Sequence, residues 1–444
     1  MSPTTTPDAE PTHDRYRAIT NRTIQKYPQW RAMDADLRRA VEVVSQVLPF
    51  RVNEYVLENL IDWDRVPNDP IFQLTFPQEP MLEPEAFARV ADLVDREAPR
   101  DELRAVVDEI RLSLNPHPAG QMSDNVPEME GEELEGMQHK YKETLLFFPA
   151  RGQTCHAYCT YCFRWAQFVG MPEMKFEARE SQELVEYLQE HKEVSDVLVT
   201  GGDPMIMKSQ ALRQYLEPLL TEPGLEHITS LRIGTKSPAY WPQRFVTDDD
   251  ADDALRFFEE VVAAGKHLAI MGHFSHPVEL EPPIARDAIR RIRDTGAEIR
   301  MQAPLIRHVN DDPEPWADIW REGVRLGMIP YYMFVERDTG ARNYFEVPLA
   351  EGQAIFRDAV KRVSGLARTV RGPSMSAHPG KVRVLGTATV GDEDVFILDF
   401  LQGRNPDWVG RPFFAKYDPA ATWLDDLEPA FGQGQFFFET ESGR

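Results

Sequence analysis

The chain has 444 residues, 42% of them hydrophobic and 27% charged, enough for one large core with extensions or for two to three globular domains. Its 49 basic and 73 acidic residues leave a net charge of −24, a surface that repels phosphate backbones and anionic membranes and argues against nucleic acid or lipid as the main partner. No apolar run approaches the roughly 20 residues that a bilayer span needs, so a small substrate reached through a locally different pocket is the expectation.

Residues 1–14, MSPTTTPDAEPTHD, are polar and acidic and lack the basic start and apolar run of a secretion signal. They read as a disordered tail on a cytoplasmic protein. Residues 15–142 read as a helical and wrapping region. Helical periodicity runs over Ala35–Leu48, Pro84–Glu97 and Asp101–Leu114, and a Pro- and Gly-bearing stretch to Tyr141 reads as a linker. From about Glu143, short apolar runs alternate with amphipathic segments. The runs are 143–148, 196–200, 229–234, 267–272, 298–305 and 329–335, with helix candidates near 180–192, 209–220, 251–264, 282–295 and 315–326. Six strand–helix units in series predict parallel strands joined by crossovers. A doubly wound sheet and a partial barrel both satisfy that pattern, and six units are too few for a complete eight-fold barrel. Residues 376–444 form a strand-rich C-terminal extension, with strands expected at VRVLGTATV (382–390), DVFILDF (394–400) and GQFFFE (434–439).

All three cysteines, Cys155, Cys159 and Cys162, fall in one loop after the first strand of this array. A disulfide framework would want an even number spread along the chain, so three clustered thiols point to a metal or cluster in a reducing compartment. Thiolates suit iron–sulfur clusters or zinc. Three of them leave the fourth iron of a [4Fe–4S] cubane open, and that corner can chelate S-adenosylmethionine (SAM) and pass it an electron. Tyr161 matches the aromatic residue usual in radical SAM loops. The blander alternative is zinc with His156 as fourth ligand, but zinc sites normally pair cysteines as knuckles, which this spacing does not do.

The second strand ends in Thr200-Gly201-Gly202-Asp203-Pro204, where glycines let backbone approach a ligand and Asp203 can help hold an ammonium group. His273 and His276 close the fourth strand and read as structural, since no third soft ligand remains to make a metal site. Lys381 follows a Pro-Gly turn, where a lysine is ordinarily just solvated; its functional reading is a Schiff base with pyridoxal phosphate.

Together these residues resemble the lysine 2,3-aminomutase family of radical SAM enzymes. The resemblance runs from about Leu48 to Leu401 through LPFRVN (48–53), the cysteine loop, LVTGGDP (198–204), RIGTKSPAYWPQRF (232–245), GHFSHP (272–277), APLIRHVND (303–311) and IPYYMFV (329–335). It implies an α/β fold with a partial (β/α)6 barrel over 143–375. It also implies a [4Fe–4S] cluster, SAM and pyridoxal 5′-phosphate, used to move an α-amino group to the β-carbon. By position, Cys155, Cys159 and Cys162 would hold the cluster, and Arg164 the substrate carboxylate through its bidentate fork. Gly201, Gly202, Asp203, Arg232, Gln243, Arg244, His273 and Gln302 fall in segments resembling those that line SAM. Lys140 and Tyr141 stand where the family has an Arg-Tyr pair for the pyridoxal phosphate group, and Lys381 stands where it has its Schiff-base lysine.

The sequence also departs from the family. The lysine turn is shortened to His378-Pro379-Gly380-Lys381, and a further phosphate-binding arginine is replaced by Thr144. Arg337 and Ser376 replace the two acids that receive the far ammonium of lysine. A cation facing a cation is strongly unfavourable in a closed site, so an acidic or polar amino acid is the expected substrate. Pairing of Arg337 with Glu336, Asp338 or Glu346 would remove that argument. The family's structural zinc cysteines are missing. The expected activity is thus amino-acid 2,3-aminomutation. The alternatives are a pyridoxal-phosphate-independent radical SAM enzyme (an epimerase, an oxidase or another modifier of an amino-acid-like molecule) and a non-catalytic metal-binding module. A reductant such as flavodoxin or ferredoxin and a homo-oligomer are the expected partners.

Overall fold

The computed structural model describes residues 15–115, 125–170, 176–179 and 181–441; the tail expected over 1–14 lies outside them. Helices open the chain where apolar side chains recur three and four residues apart. In Ala35–Val47 the buried positions are Ala40, Val41, Val43, Val44 and Val47, and the Asp34 carboxylate caps the first turn by accepting from the Asp36 N–H at 2.9 Å. Pro84–Asp95 and Arg100–Ser113 follow the same rule, close to their expected spans. Of the stretch read as an ordered or wrapping linker, residues 125–141 are described, and they include short strands. Glu128–Met129 (β1) and Glu132–Glu133 (β2) form a small hairpin, and Met137–Tyr141 (β3) joins the main sheet. Gly136 makes this turn feasible: its φ is +78°, and a Cβ there would lie 2.1 Å from the Ala178 nitrogen.

All six expected strands are present. They are Thr144–Phe147 (β4), Asp196–Val199 (β5), Ser230–Thr235 (β6), His267–His273 (β7), Glu298–Leu305 (β8) and Ile329–Val335 (β9), each parallel to the next. A seventh parallel strand, Arg371–Ser376 (β10), was not legible because Gly372 and Pro373 read as strand breakers. Gly372 is required there, since a Cβ would sit 2.5 Å from the Met333 carbonyl oxygen. Between successive strands lie Gln182–Glu190, Ser209–Leu216, Ala251–Ala263, Pro283–Asp294, Pro313–Arg325 and Leu349–Lys361.

The C-terminal strands Gly380–Val390 (β11), Glu393–Gly403 (β12) and Phe413–Lys416 (β13) continue the sheet as an antiparallel meander. The strand expected at GQFFFE does not form; the chain turns into a short helix, Phe437–Glu441. The Glu439 carboxylate accepts from the Phe436 N–H at 2.7 Å, and Phe436 and Phe438 pack on Phe413 and Phe400 across the sheet face instead of extending its edge. One apolar core joins the N-terminal helices to the parallel strands, and a second lies under β11–β13.

The fold is therefore α/β with one large mixed sheet, whose eleven strands run in the order β13-β12-β11-β10-β9-β8-β7-β6-β5-β4-β3. Laid flat, β3 and β10 would be about 34 Å apart, seven spacings of roughly 4.8 Å. Yet Lys140 on β3 donates from Nζ to the carbonyl of Ala377, just beyond β10, and Arg404 beyond β12 donates to the Asn125 side chain at 2.7 Å. The sheet curls until β3 meets the turn between β10 and β11. Its inner face is polar: along β6 the apolar Leu231 and Ile233 are buried outward, while Arg232 and Gly234 are only half-buried, and β8 alternates likewise at Arg300 and Gln302. Among the described residues no helix is long and apolar enough to cross a membrane.

Asn53 stitches the N-terminal region to this sheet. It is fully buried, its side-chain oxygen caps Glu54–Asn59 at the Val56 N–H (2.9 Å), and its amide donates to the carbonyls of Tyr240 (2.9 Å) and His156 (3.3 Å). Asn53→Ala strands two buried acceptors and removes a cap, for an expected cost of about 3 kcal/mol. Urea unfolding followed by circular dichroism should show that loss as a lower midpoint.

Candidate active site in the curled sheet

Between Gln153 and Arg164 the chain has no regular helix or strand. Neighbouring backbone holds it instead. The Tyr158 N–H donates to Arg51 O (2.8 Å) and the Thr160 N–H to Leu74 O (2.9 Å), while Arg51 donates to Thr154 Oγ1 (2.7 Å) and Cys155 O (3.3 Å). From the other side comes the Gly201–Asp203 turn. The Asp203 N–H donates to Thr154 O (2.7 Å) and Gly152 O (3.1 Å), and a Cβ on Gly202 would lie 2.5 Å from Thr154 backbone.

Cys155, Cys159 and Cys162 are free thiols on this loop. Burial, then the charges of Asp203 and the other two cysteines, pushes Cys155 well above the usual thiol range; burial raises Cys159 against the opposing charge of Lys236; and burial, with Cys159 alongside, takes Cys162 to about 12. Thiols so placed hold charge only beside a cation, which a bound iron cluster supplies. Among the described residues no three ligating groups converge on a point that could hold a single metal ion, the cysteines included. A cubane spreads its thiolates over separate iron corners.

Three residues expected at SAM are occupied by protein partners. The buried Asp203 carboxylate accepts from Thr235 Oγ1 (2.7 Å), Met205 N–H (2.9 Å), Lys236 N–H (2.9 Å) and Ser237 Oγ (3.2 Å), tying the glycine turn to the end of β6. Arg244 donates to the carbonyls of Met205 (2.9 Å) and Met207 (3.1 Å), and Arg232 forks onto Asp196, whose other contact is the Thr144 hydroxyl (3.1 Å). Their part is to shape the wall. His273 and Gln302 are neighbours at the ends of β7 and β8, 2.8 Å apart, and burial takes the imidazole down to about 3, so it stays neutral. The Gln243 side-chain oxygen is buried without a partner. His276 caps Pro277–Leu280 by accepting from the Val278 N–H at 3.4 Å.

The sequence reading overlooked Lys236, because its partners come from another unit. Its Nζ lies 2.6 Å from Glu279 Oε1, a fully buried carboxylate, and 4.5 Å over the Tyr240 ring, whose hydroxyl is 3.8 Å from Cys159 Sγ.

Two expected ligand-binding cations are uncommitted. Arg164 lies 4.2 Å over the Phe148 ring with its Nε unpartnered, and burial lowers it to about 10. Lys381, on β11, points its Nζ over the rings of Tyr332 (4.2 Å) and Phe334 (5.4 Å), with no hydrogen bond or ion pair. Burial, then the nearby charges of Arg232, Arg371 and Lys140, bring its amine down to about 7. Arg337 is half-committed: Asp338 lies 3.8 Å from its Nε, and the rings of Phe163 and Trp423 flank it at 5.6 and 5.9 Å. Glu346 pairs instead with Arg342 (2.8 Å), and Glu336 is buried with neither oxygen partnered, so neither neutralises Arg337. Tyr141 is buried beside Arg404 and Arg337, which burial more than offsets in raising its hydroxyl.

Comparison with known proteins was made at the level of sequence and of structure. The chain is 31% identical over 389 residues to an Aquifex aeolicus protein provisionally named L-lysine 2,3-aminomutase, covering 88% of this chain and 90% of that one. It is 26% identical over 278 residues to L-lysine 2,3-aminomutase of Bacillus subtilis (62% and 55% covered) and 25% over 273 residues to that of Clostridium subterminale (62% and 62%). Among solved structures, SuiB of Streptococcus suis bound to S-adenosylmethionine matches at a TM-score of 0.35 and 11% identity, over 59% of this chain and 50% of that one. No family model matches the sequence.

Gly202→Ala should leave helix content unchanged by far-UV circular dichroism. Because the new methyl displaces the Thr154 backbone, iron content and the cluster's visible absorbance should fall together in anaerobically purified protein.

Proposed function

The chain belongs to the lysine 2,3-aminomutase family of radical SAM enzymes, and on that premise we propose that it is a pyridoxal-phosphate-dependent 2,3-aminomutase of an acidic or polar amino acid. Relatives of this kind use a [4Fe–4S] cluster, SAM and pyridoxal phosphate. The curled run of parallel strands supports a partial (β/α)6-type barrel, with the cysteine loop at the C-terminal end of β4.

One observation carries the reading: Lys381 is an unpartnered amine, held near neutrality inside a polar lumen and resting on two aromatic rings. An amine that is partly unprotonated at neutral pH is the nucleophile that a pyridoxal aldehyde requires. When bound, pyridoxal phosphate delocalises the radical through which an amino nitrogen migrates.

The chain's own residues have separable tasks. Cys155, Cys159 and Cys162 hold the cluster, and Gly201 and Gly202 bring the turn against its loop. Arg164, stacked beside the cysteines and free to fork, takes the substrate carboxylate. The neutral His273–Gln302 pair offers hydrogen bonds without charge at the strand ends, where SAM is expected. Arg337 pairs with Asp338 at 3.8 Å, which weakens the charge argument against lysine; what still supports an acidic or polar side chain is that a cation stands where lysine-specific relatives have an acid. Walls of sheet and helix keep out water and stray hydrogen donors. A small reductant such as flavodoxin or ferredoxin would supply the electron.

Borohydride reduction of anaerobically purified, cofactor-loaded protein, followed by peptide mass spectrometry, should find a pyridoxyl-phosphate adduct on Lys381. Unmodified Lys381 would sink the reading and leave a radical SAM reaction that needs no such cofactor, assayed by 5′-deoxyadenosine release. In apoprotein the adduct should form faster as pH rises, reach half its limiting rate at about pH 7 and level off above it, because the amine is half neutral there and saturates only at higher pH. An ordinary lysine would keep gaining rate to about pH 10.

A further inference from the structure

Three arginine or lysine side chains share the space around Lys381, and they differ in how their charge is met. Arg232 is neutralised by Asp196. Lys140 donates to the Ala377 carbonyl. Arg371 has neither: its Cζ lies 4.3 Å from the Tyr331 ring centroid and 4.4 Å from that of Tyr332, and it makes no hydrogen bond or ion pair among the described residues. A cation–π contact satisfies none of the five N–H donors of a guanidinium. In a chain of net charge −24, carboxylates are plentiful, so a half-buried arginine without one marks a place kept for an anion that is not part of the chain.

Geometry says which anion. Arg371 and Lys381 rest on the same ring, since the Lys381 Nζ is 4.2 Å and the Arg371 Cζ 4.4 Å from the Tyr332 centroid. Their charges are no farther apart than those two distances laid end to end. Pyridoxal phosphate carries its aldehyde and its phosphomethyl group on adjacent ring carbons, so its phosphate must be met within a ring's width of the lysine that takes its aldehyde. A substrate carboxylate meets a different group, Arg164, which lies against Phe148 beside the cysteines.

We propose that Arg371, on β10, is the phosphate anchor of the cofactor site, forking onto the phosphate while the Tyr331 and Tyr332 rings flank its guanidinium. This rests on the reading of Lys381 as the cofactor's lysine and adds a residue on a neighbouring strand that sets affinity for the phosphorylated form. Arg371 is a binding residue with no proton to move in the reaction.

The test compares two aldehydes, pyridoxal phosphate and pyridoxal, on the full cluster-loaded chain. Each is titrated into wild-type protein, Arg371→Met and Arg371→Lys, with the visible absorbance of the lysine adduct as readout and borohydride trapping to locate it. Arg371→Met should weaken pyridoxal phosphate about 10- to 100-fold and leave pyridoxal unchanged, the effect of losing a charge-assisted pair. Arg371→Lys keeps the charge without the fork and should recover part of the difference, which also guards against a folding failure of the methionine variant. Equal weakening of both aldehydes, or none, overturns the assignment while leaving Lys381 as the cofactor lysine. A wild-type protein that forms no adduct with either aldehyde overturns the Lys381 reading, and this one with it.

Discussion

The cysteine loop has no ladder or helix of its own, so its shape is set by what presses on it. On one side Arg51 and Asn53 from the N-terminal region reach its carbonyls; on the other the Gly202 turn approaches so closely that a single methyl would collide with Thr154. The chemistry proposed for the three thiols depends on that double grip. The N-terminal helices are thereby part of the site, although none of their side chains is expected to touch substrate. Asp203 and Arg244 serve the same end from within: one ties the glycine turn to β6, the other ties the segment after it to Gln243–Val246.

The lumen reverses the charge of the molecule that surrounds it. A protein with 24 more acids than bases holds Arg164, Arg371 and Lys381 with no carboxylate partner among the described residues. Such an arrangement is costly in an empty protein, because cations that have lost water and gained no partner raise the energy of the folded state. It is favourable when anions arrive. Cofactor phosphate and amino-acid carboxylate are the two anions that the proposed reaction would bring, one to Arg371 and one to Arg164.

Residues whose role follows from local spacing were legible in the sequence. Three thiols at fixed intervals, glycines after a strand and apolar runs alternating with amphipathic helices each carry their meaning within a dozen residues. Roles that depend on a partner from another unit were not. Asp203, Arg232 and Arg244 look like ligand contacts in a linear reading, but their charges are met by Thr235, Asp196 and backbone carbonyls. Lys236 passed unnoticed because Glu279 lies over forty positions away, and Arg371 because Gly372 and Pro373 disguised its strand. GQFFFE has the composition of a strand, yet the carboxylate of its own last residue, Glu439, captures the Phe436 N–H, and three aromatic rings find a sheet face to cover.

Strand β3 meets the turn between β10 and β11 through side chains, among them Lys140 to Ala377, with Arg404 to Asn125 beside it, and not through a backbone ladder. Boundaries between paired strands are closed by cooperative rows of N–H to C=O bonds, which part only when a strand unfolds. This boundary has no such row, so each of its contacts is made or lost singly. The start of β11, which carries Lys381, thus sits next to the one closure of the curled sheet that is held by side chains alone among the strand contacts described.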